Sequence, residues 1–166
     1  MRKLRDDIKD FTKWVRCSKR PIKLKCIYRA SGTMYYNTLD MSLSVADKMS
    51  PILLTDETGV YWTESVYSFR KNYIKTDDKD IDRNFLREMH KGEFLDVKFR
   101  NEEPLWSFKV SVEDYRWDCP YGANASGLQH GDGDYLVCTG MEKPDLRTIR
   151  LVRNAMFKRF YVERSS

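Results

Sequence analysis

Long apolar runs are missing from this chain. None approaches the roughly 20 residues that a bilayer-spanning helix needs, so no membrane partner is expected. The opening Met1-Arg-Lys-Leu-Arg-Asp-Asp7 is charged and has no apolar stretch behind it, which argues against a secretory signal. Cysteine is sparse. Cys17, Cys26, Cys119 and Cys138 contain no Cys-x-x-Cys pair, which excludes a paired-thiolate zinc site and a disulfide-dense secreted scaffold. We read them as reduced thiols in a cytosol, where the sequon Asn124-Ala125-Ser126 carries no meaning. Histidine occurs twice, at His90 and His130. There is no Gly-x-Ser-x-Gly elbow, no Walker loop and no dinucleotide glycine fingerprint, so no cofactor is expected.

What is present is an ordinary globular mixture. Hydrophobic residues make up 41%, charged residues 33% and aromatics 13% of 166 residues, enough for one compact domain or two small ones. The net charge of +5 is unevenly spread. Residues 1–29 hold 11 basic and 3 acidic side chains, residues 143–166 hold 7 and 2, and residues 30–142 hold 12 and 20. Basic ends flank an acidic centre. They can form a face for nucleic acid or another anion, or they can lie on the acidic centre and neutralise it.

The strongest signal is an internal repeat. Ile52-Leu-Leu-Thr-Asp56 and Tyr135-Leu-Val-Cys-Thr139 each lead through a turn to a second strand and then to a Phe-x-x-x-Tyr ending. Phe69 meets Phe157, Tyr73 meets Tyr161, Arg70-Lys71 meets Lys158-Arg159, and Ile74 meets Val162. Two similar antiparallel β units are therefore expected in an α+β fold. Spacings of three and four at Leu4, Ile8, Phe11 and Val15, with Trp14 beside them, predict an N-terminal amphipathic helix over 2–16. Ile81, Phe85, Leu86 and Met89, with Asp77 or Asp78 as cap and Gly92 as stop, predict a linking helix over 77–92. The organisation read from this is residues 1–76 as helix plus first β unit, 77–92 as linking helix and 93–166 as second β unit. Alternation over Ile22–Tyr28, Met34–Leu43, Phe94–Phe99 and Leu105–Trp117 marks further strands.

Residues 118–134 hold four of the eight glycines and no strand or helix pattern. A structureless loop of this length is uncommon and usually functional or disordered. His130-Gly-Asp132-Gly-Asp134 within it alternates imidazole and carboxylates, the chemistry of a hard cation or a magnesium-bound phosphate. No glutamate completes a calcium loop there, so no metal site is assigned, and a flexible turn into strand 135–139 explains the same residues. Trp117 and Tyr121 offer stacking surfaces beside it. Arg150, Arg153, Lys158 and Arg159 follow in the same copy and can supply positive charge. These nine residues, 117, 121, 130, 132, 134, 150, 153, 158 and 159, are the candidate ligand site. No catalytic residue is assigned.

Gly133-Asp134-Tyr135-Leu136-Val137, followed by Phe157 and Tyr161, resembles the small PGDYG-type domain of phage and prophage proteins. Pro21-Ile22-Lys23-Leu24-Lys25 is similar to that family's opening strand. The first copy departs by having Ser50-Pro51 in place of Gly-Asp, and the second by inserting Met141–Arg147 into its hairpin. The resemblance implies a small accessory protein and no particular activity. The expectation is a non-enzymatic phage-type binding protein that acts in the bacterial cytoplasm on a host protein or a small anionic ligand. A nucleic-acid-binding protein using the basic termini is the alternative, and a small metal-dependent hydrolase using His130, Asp132 and Asp134 is a third.

Overall fold

The computed structural model describes residues 2–37, 39, 42–101, 103–110, 115–116 and 133–164. The chain begins with strand β1 (Arg2–Lys3), helix α1 (Leu4–Asp7), a 3-10 turn at Phe11–Lys13 and strand β2 (Val15–Lys19). Next come β3 (Leu24–Tyr28), β4 (Thr33–Asn37), β5 (Ser42–Ala46), β6 (Ile52–Thr55), β7 (Tyr61–Glu64), α2 (Val66–Asn72), β8 (Tyr73–Lys75), α3 (Arg83–Met89) and β9 (Leu95–Phe99). The last stretch holds β10 (Leu105–Val110), β11 (Tyr115–Arg116), β12 (Asp134–Thr139), a 3-10 turn at Leu146–Thr148, β13 (Arg150–Val152), α4 (Asn154–Phe160) and β14 (Tyr161–Glu163). The fold is α+β and contains two compact units. One is continuous, Pro21–Arg100; the other is discontinuous, Met1–Arg20 with Asn101–Ser166.

Each unit is built on a five-stranded antiparallel sheet of the same design. The order is β7-β6-β3-β9-β8 in the continuous unit and β13-β12-β10-β2-β14 in the discontinuous one. The registers agree residue by residue. Leu24 opposes Val97 as Leu105 opposes Cys17, and Tyr73 opposes Phe99 as Tyr161 opposes Lys19. Leu53 opposes Thr63 as Leu136 opposes Leu151. The helices α2 and α4 precede the last strand of each sheet, and both end where the backbone N–H of Tyr73 or Tyr161 bonds back to Phe69 or Phe157. The repeat read from the sequence is thus the repeat of the fold.

The boundaries of the units fall elsewhere than the sequence suggested. The expected divisions lay at 76 and 92; the compact units divide at 20 and 100. Strand β2 opens the first repeat but pairs with β10 and β14 of the second, while β9 opens the second and pairs with β3 and β8 of the first. The two repeats exchange their opening helix–strand segments. The chain leaves β2 through Arg20-Pro21 and enters β10 through Glu103-Pro104.

Helix lengths also differ from expectation. The amphipathic helix over 2–16 shortens to α1, because Asp10 accepts from the amide of Thr12 (3.2 Å) and its hydroxyl (2.6 Å) and bends the chain into β2. Leu4, Ile8 and Trp14 are buried, whereas Phe11 and Val15, placed on the same stripe by spacing, are exposed. The indole of Trp14 donates to the carbonyl of Ile8 at 2.8 Å, and with Phe108, Val110, Leu136, Cys138 and Ile149 these residues form the core of the discontinuous unit. The linking helix contracts to α3, capped not by Asp77 or Asp78 but by Asp82, which accepts from Phe85 N at 2.9 Å. It is no linker: the Phe85 ring meets Phe69 at 6.4 Å, and His90 just beyond α3 stacks on Tyr28 at 3.7 Å. The strand expected over 34–43 is a hairpin, β4 with β5.

Candidate functional site

The two repeats differ in the connection before their fourth strand. Leu53 corresponds to Leu136, a shift of 83, while Phe69 corresponds to Phe157, a shift of 88, so the second repeat carries five extra residues between them. They lie between β12 and β13, and they shape a groove of about 640 Å³ lined by Phe11 and Gly140–Arg147. All of it belongs to the discontinuous unit.

The loop around this groove is held in place by its own bonding. Gly140 N donates to Pro104 O at 3.1 Å, Trp106 Nε1 donates to Gly140 O at 2.8 Å, and Asp145 N donates to Thr139 O at 2.7 Å. The guanidinium of Arg16 donates to Met141 O. Gly140 has φ +156°, and a Cβ there would sit 1.9 Å from Lys143 O, so the turn admits only glycine. Asp145 accepts from Arg147 N and from two of its guanidinium nitrogens, Nε at 3.1 Å and Nη2 at 3.2 Å. That bond, the larger influence, with the amide bond of Arg147, holds the Asp145 carboxyl below the usual carboxylate range and raises Arg147.

The groove is lined by apolar groups, by the cations Lys143 and Arg147 and by the carboxylates Glu142 and Asp145. Leu146 packs on the core below, Pro144 is buried, and Met141 is 73% exposed at the lip. The ammonium of Lys143 stands 6.0 Å from the centre of the Phe11 ring, and next to the loop the guanidinium of Arg16 lies 4.2 Å over Trp106. With Arg147 engaged by Asp145, Lys143 is the cation best placed to meet an anion entering over Phe11.

Among the described residues, none of those singled out by sequence lines this groove. Trp117, Tyr121, His130 and Asp132 lie outside the described residues. Asp134 is fully buried on β12, where its carboxylate accepts from Asn154 N at 2.9 Å. It thereby caps α4, whose own N-cap position holds Arg153 with no side-chain bond; the first repeat uses Ser65 for the same purpose, accepting from Ser68 N at 3.1 Å. Arg150 reaches Tyr161 Oη at 2.8 Å. Lys158 and Arg159 sit in the last turn of α4. Sequence reasoning noticed the insertion Met141–Arg147 but attached no site to it. Phe11 was missed because its helical spacing placed it in a buried stripe.

The described cysteines are buried free thiols. Burial pushes Cys17 up to about 11 and Cys26 and Cys138 to about 12, so each stays protonated, a poor nucleophile. Among the described residues no group of three histidine, cysteine or carboxylate side chains could hold a metal ion. No helix among them is long and apolar enough to cross a membrane. The chain matches no family model, no curated protein and no solved structure.

Proposed function

We propose that this chain is a non-enzymatic binding protein that takes a small anionic ligand with a flat apolar part in the groove beside Phe11 and Lys143. The observation that carries this reading is the pre-formed loop Gly140–Arg147, present in one repeat only, with an ammonium poised over an aromatic ring. Binding groups concentrate on loops placed by a rigid scaffold, and a groove of this volume suits a small organic ligand. The setting, a phage-type accessory protein in the bacterial cytoplasm for which a host protein is the alternative to the small anionic ligand, rests on the motif resemblance of residues 133–137.

A specific observation also favours nucleic acid. Strand β2 pairs with β14, so Arg16, Lys19 and Arg20 share the discontinuous unit with Lys158, Arg159 and Arg164, joining the two basic segments of the chain. A polyanion bound there would be released steeply by salt. The hydrolase reading loses Asp134 to the α4 cap.

Calorimetric titration with adenosine monophosphate, inorganic pyrophosphate and a single-stranded oligonucleotide separates these readings. The groove reading expects the mononucleotide to bind more tightly than pyrophosphate, with Phe11→Ala and Lys143→Ala each weakening it at least tenfold and Arg159→Ala leaving it unchanged. Binding of the oligonucleotide alone, with affinity lost on Arg159→Ala and Arg164→Ala, moves the function to the basic strand pair. No heat with any of the three at millimolar concentration overturns the anion reading.

A further inference from the structure

Arg16 on β2 lies opposite Trp106 of β10, and Trp106 lies opposite Cys138 of β12, so the three share one face of the sheet. The Arg16 guanidinium covers the Trp106 ring at 4.2 Å and donates to Met141 O, while the Trp106 indole donates to Gly140 O at 2.8 Å. Two stacked side chains thus hold two consecutive carbonyls where the loop leaves β12. The continuous unit offers a comparison inside the same chain. Its register puts Lys25 where Trp106 stands and Asp96 where Arg16 stands. There the two form an ion pair, and the short turn after β6 is bonded from within, Glu57 N to Thr55 Oγ1 at 3.0 Å and Thr58 N to Asp56 Oδ1 at 3.1 Å. The repeat that carries the groove has a guanidinium on an indole at that place, and both side chains reach past the sheet into the loop.

We propose that Arg16 is a positioning residue of the groove: with Trp106 it fixes the start of the loop so that Lys143 stands over Phe11. This rests on the groove taking the small anion, and it adds what sets the groove's geometry. Lys143 O lies against the place a Cβ of Gly140 would take, so residues 140 to 143 follow a tight turn. Holding the carbonyls of Gly140 and Met141 fixes where Lys143 leaves that turn. The far end of the loop is held separately, by Asp145 N on Thr139 O at 2.7 Å and by Thr148 Oγ1 on Asp145 O at 2.8 Å. A planar guanidinium can lie flat on an indole and still donate an edge N–H to a carbonyl, which a compact ammonium does poorly. Phe11 and Arg16 belong to one opening segment, so that segment supplies the ring on one side of the groove and fixes the cation on the other. A loop held in its binding form beforehand spares the cost of ordering it with the ligand. Releasing it weakens binding without removing any group that touches the anion.

Hydrogen exchange and calorimetry on the full chain test this together. Without ligand, Arg16→Ala should speed exchange at the amides of Gly140 and Asp145 about tenfold, while the amides within β12 and the melting temperature stay as in the wild type. Unchanged exchange at those two amides overturns the proposal, with no ligand needed to decide it. With adenosine monophosphate, Arg16→Ala should weaken binding about tenfold, and adding it to Lys143→Ala should weaken binding no further, because Arg16 acts through Lys143. Losses that multiply show that Arg16 meets the anion itself, and they overturn the positioning role. Faster exchange in the variant together with no binding by the wild type supports the hold on the loop and defeats the anion reading instead, so the two failures are told apart. Arg16→Lys serves where Arg16→Ala unfolds. It keeps the charge and loses the flat stack, so Gly140 and Asp145 should again exchange faster than in the wild type. Wild-type exchange and affinity in Arg16→Lys overturn the proposal.

Discussion

The hydroxyl of Tyr161 accepts a hydrogen bond from the guanidinium of Arg150 at 2.8 Å, although the two residues stand on strands at opposite edges of one five-stranded sheet. Four strand spacings of about 4.8 Å would set flat edges roughly 19 Å apart, so the sheet must curl for the contact to form. The other repeat does the same with different chemistry. Trp62 stands where Arg150 does, and its indole donates to Tyr73 Oη at 2.7 Å. In each unit a tyrosine closes the open side of a curled sheet, and the phenylalanine one helical turn earlier fills the space beneath it. Those rings lie 5.4 Å apart for Phe69 and Tyr73 and 5.0 Å for Phe157 and Tyr161.

Closure and filling should separate in mutants. Tyr161→Phe keeps the ring and loses one hydrogen bond, so it should cost about 1 kcal/mol. Phe157 is buried and stacked on Tyr135 at 3.7 Å, and Phe157→Ala should cost about 3–5 kcal/mol through the cavity it leaves. Urea denaturation of the two variants checks the order; equal costs would show that the hydrogen bond, not packing, closes the unit.

Asp134 should behave as a cap. Asp134→Ala removes the acceptor for Asn154 N in a fully buried position and should destabilise by about 1–2 kcal/mol. Asp134→Asn, which retains an acceptor oxygen, should recover much of that loss. Loss of ligand binding at unchanged melting temperature would instead assign Asp134 to a binding role.

The exchange of opening segments predicts how fragments behave. Residues 21–100 form one continuous unit and should unfold cooperatively as an isolated fragment. Residues 101–166 lack β2, which lies between β10 and β14, and lack Leu4, Ile8 and Trp14 of the core. That fragment should stay unfolded by circular dichroism until a peptide of residues 1–20 is added. A fragment 101–166 that folds cooperatively without the peptide would refute the exchange.

Acid should weaken the continuous unit through identifiable carboxylates. Asp96 is held below its ordinary value of 3.8, chiefly by its hydrogen bond from Lys25, and Asp82 chiefly by the amide of Phe85. A depressed carboxyl favours the folded state above its unfolded value and ceases to do so as pH falls through the folded value. Lys25 is raised from 10.5 by the same Asp96, so its contribution is present below that value and fades above it. The Asp96–Lys25 pair therefore contributes most between about pH 4 and 10. Melting temperatures of the 21–100 fragment should fall below pH 4, and Asp96→Asn should narrow the difference between pH 7 and pH 3. An unchanged pH profile in that variant would show that Asp96 is not among the responsible groups.

The repeat was legible because strand registers are written in side-chain order. Ile52–Thr55 against Tyr135–Cys138, and Phe69–Tyr73 against Phe157–Tyr161, align without the structure, as do the helical turns that precede β8 and β14. The groove was half legible, as an insertion without an assigned use. The partners of β2 and β9 were not legible. Val15–Lys19 and Leu95–Phe99 occupy equivalent places in equivalent sheets, so no local pattern assigns either to one repeat. Their choice depends on where the chain goes after Arg20-Pro21 and Arg100, and on long-range contacts such as Trp14 with Phe108 at 5.4 Å. Local order is encoded residue by residue. Strand partnership is a competition between equal local solutions, and only the tertiary structure decides it.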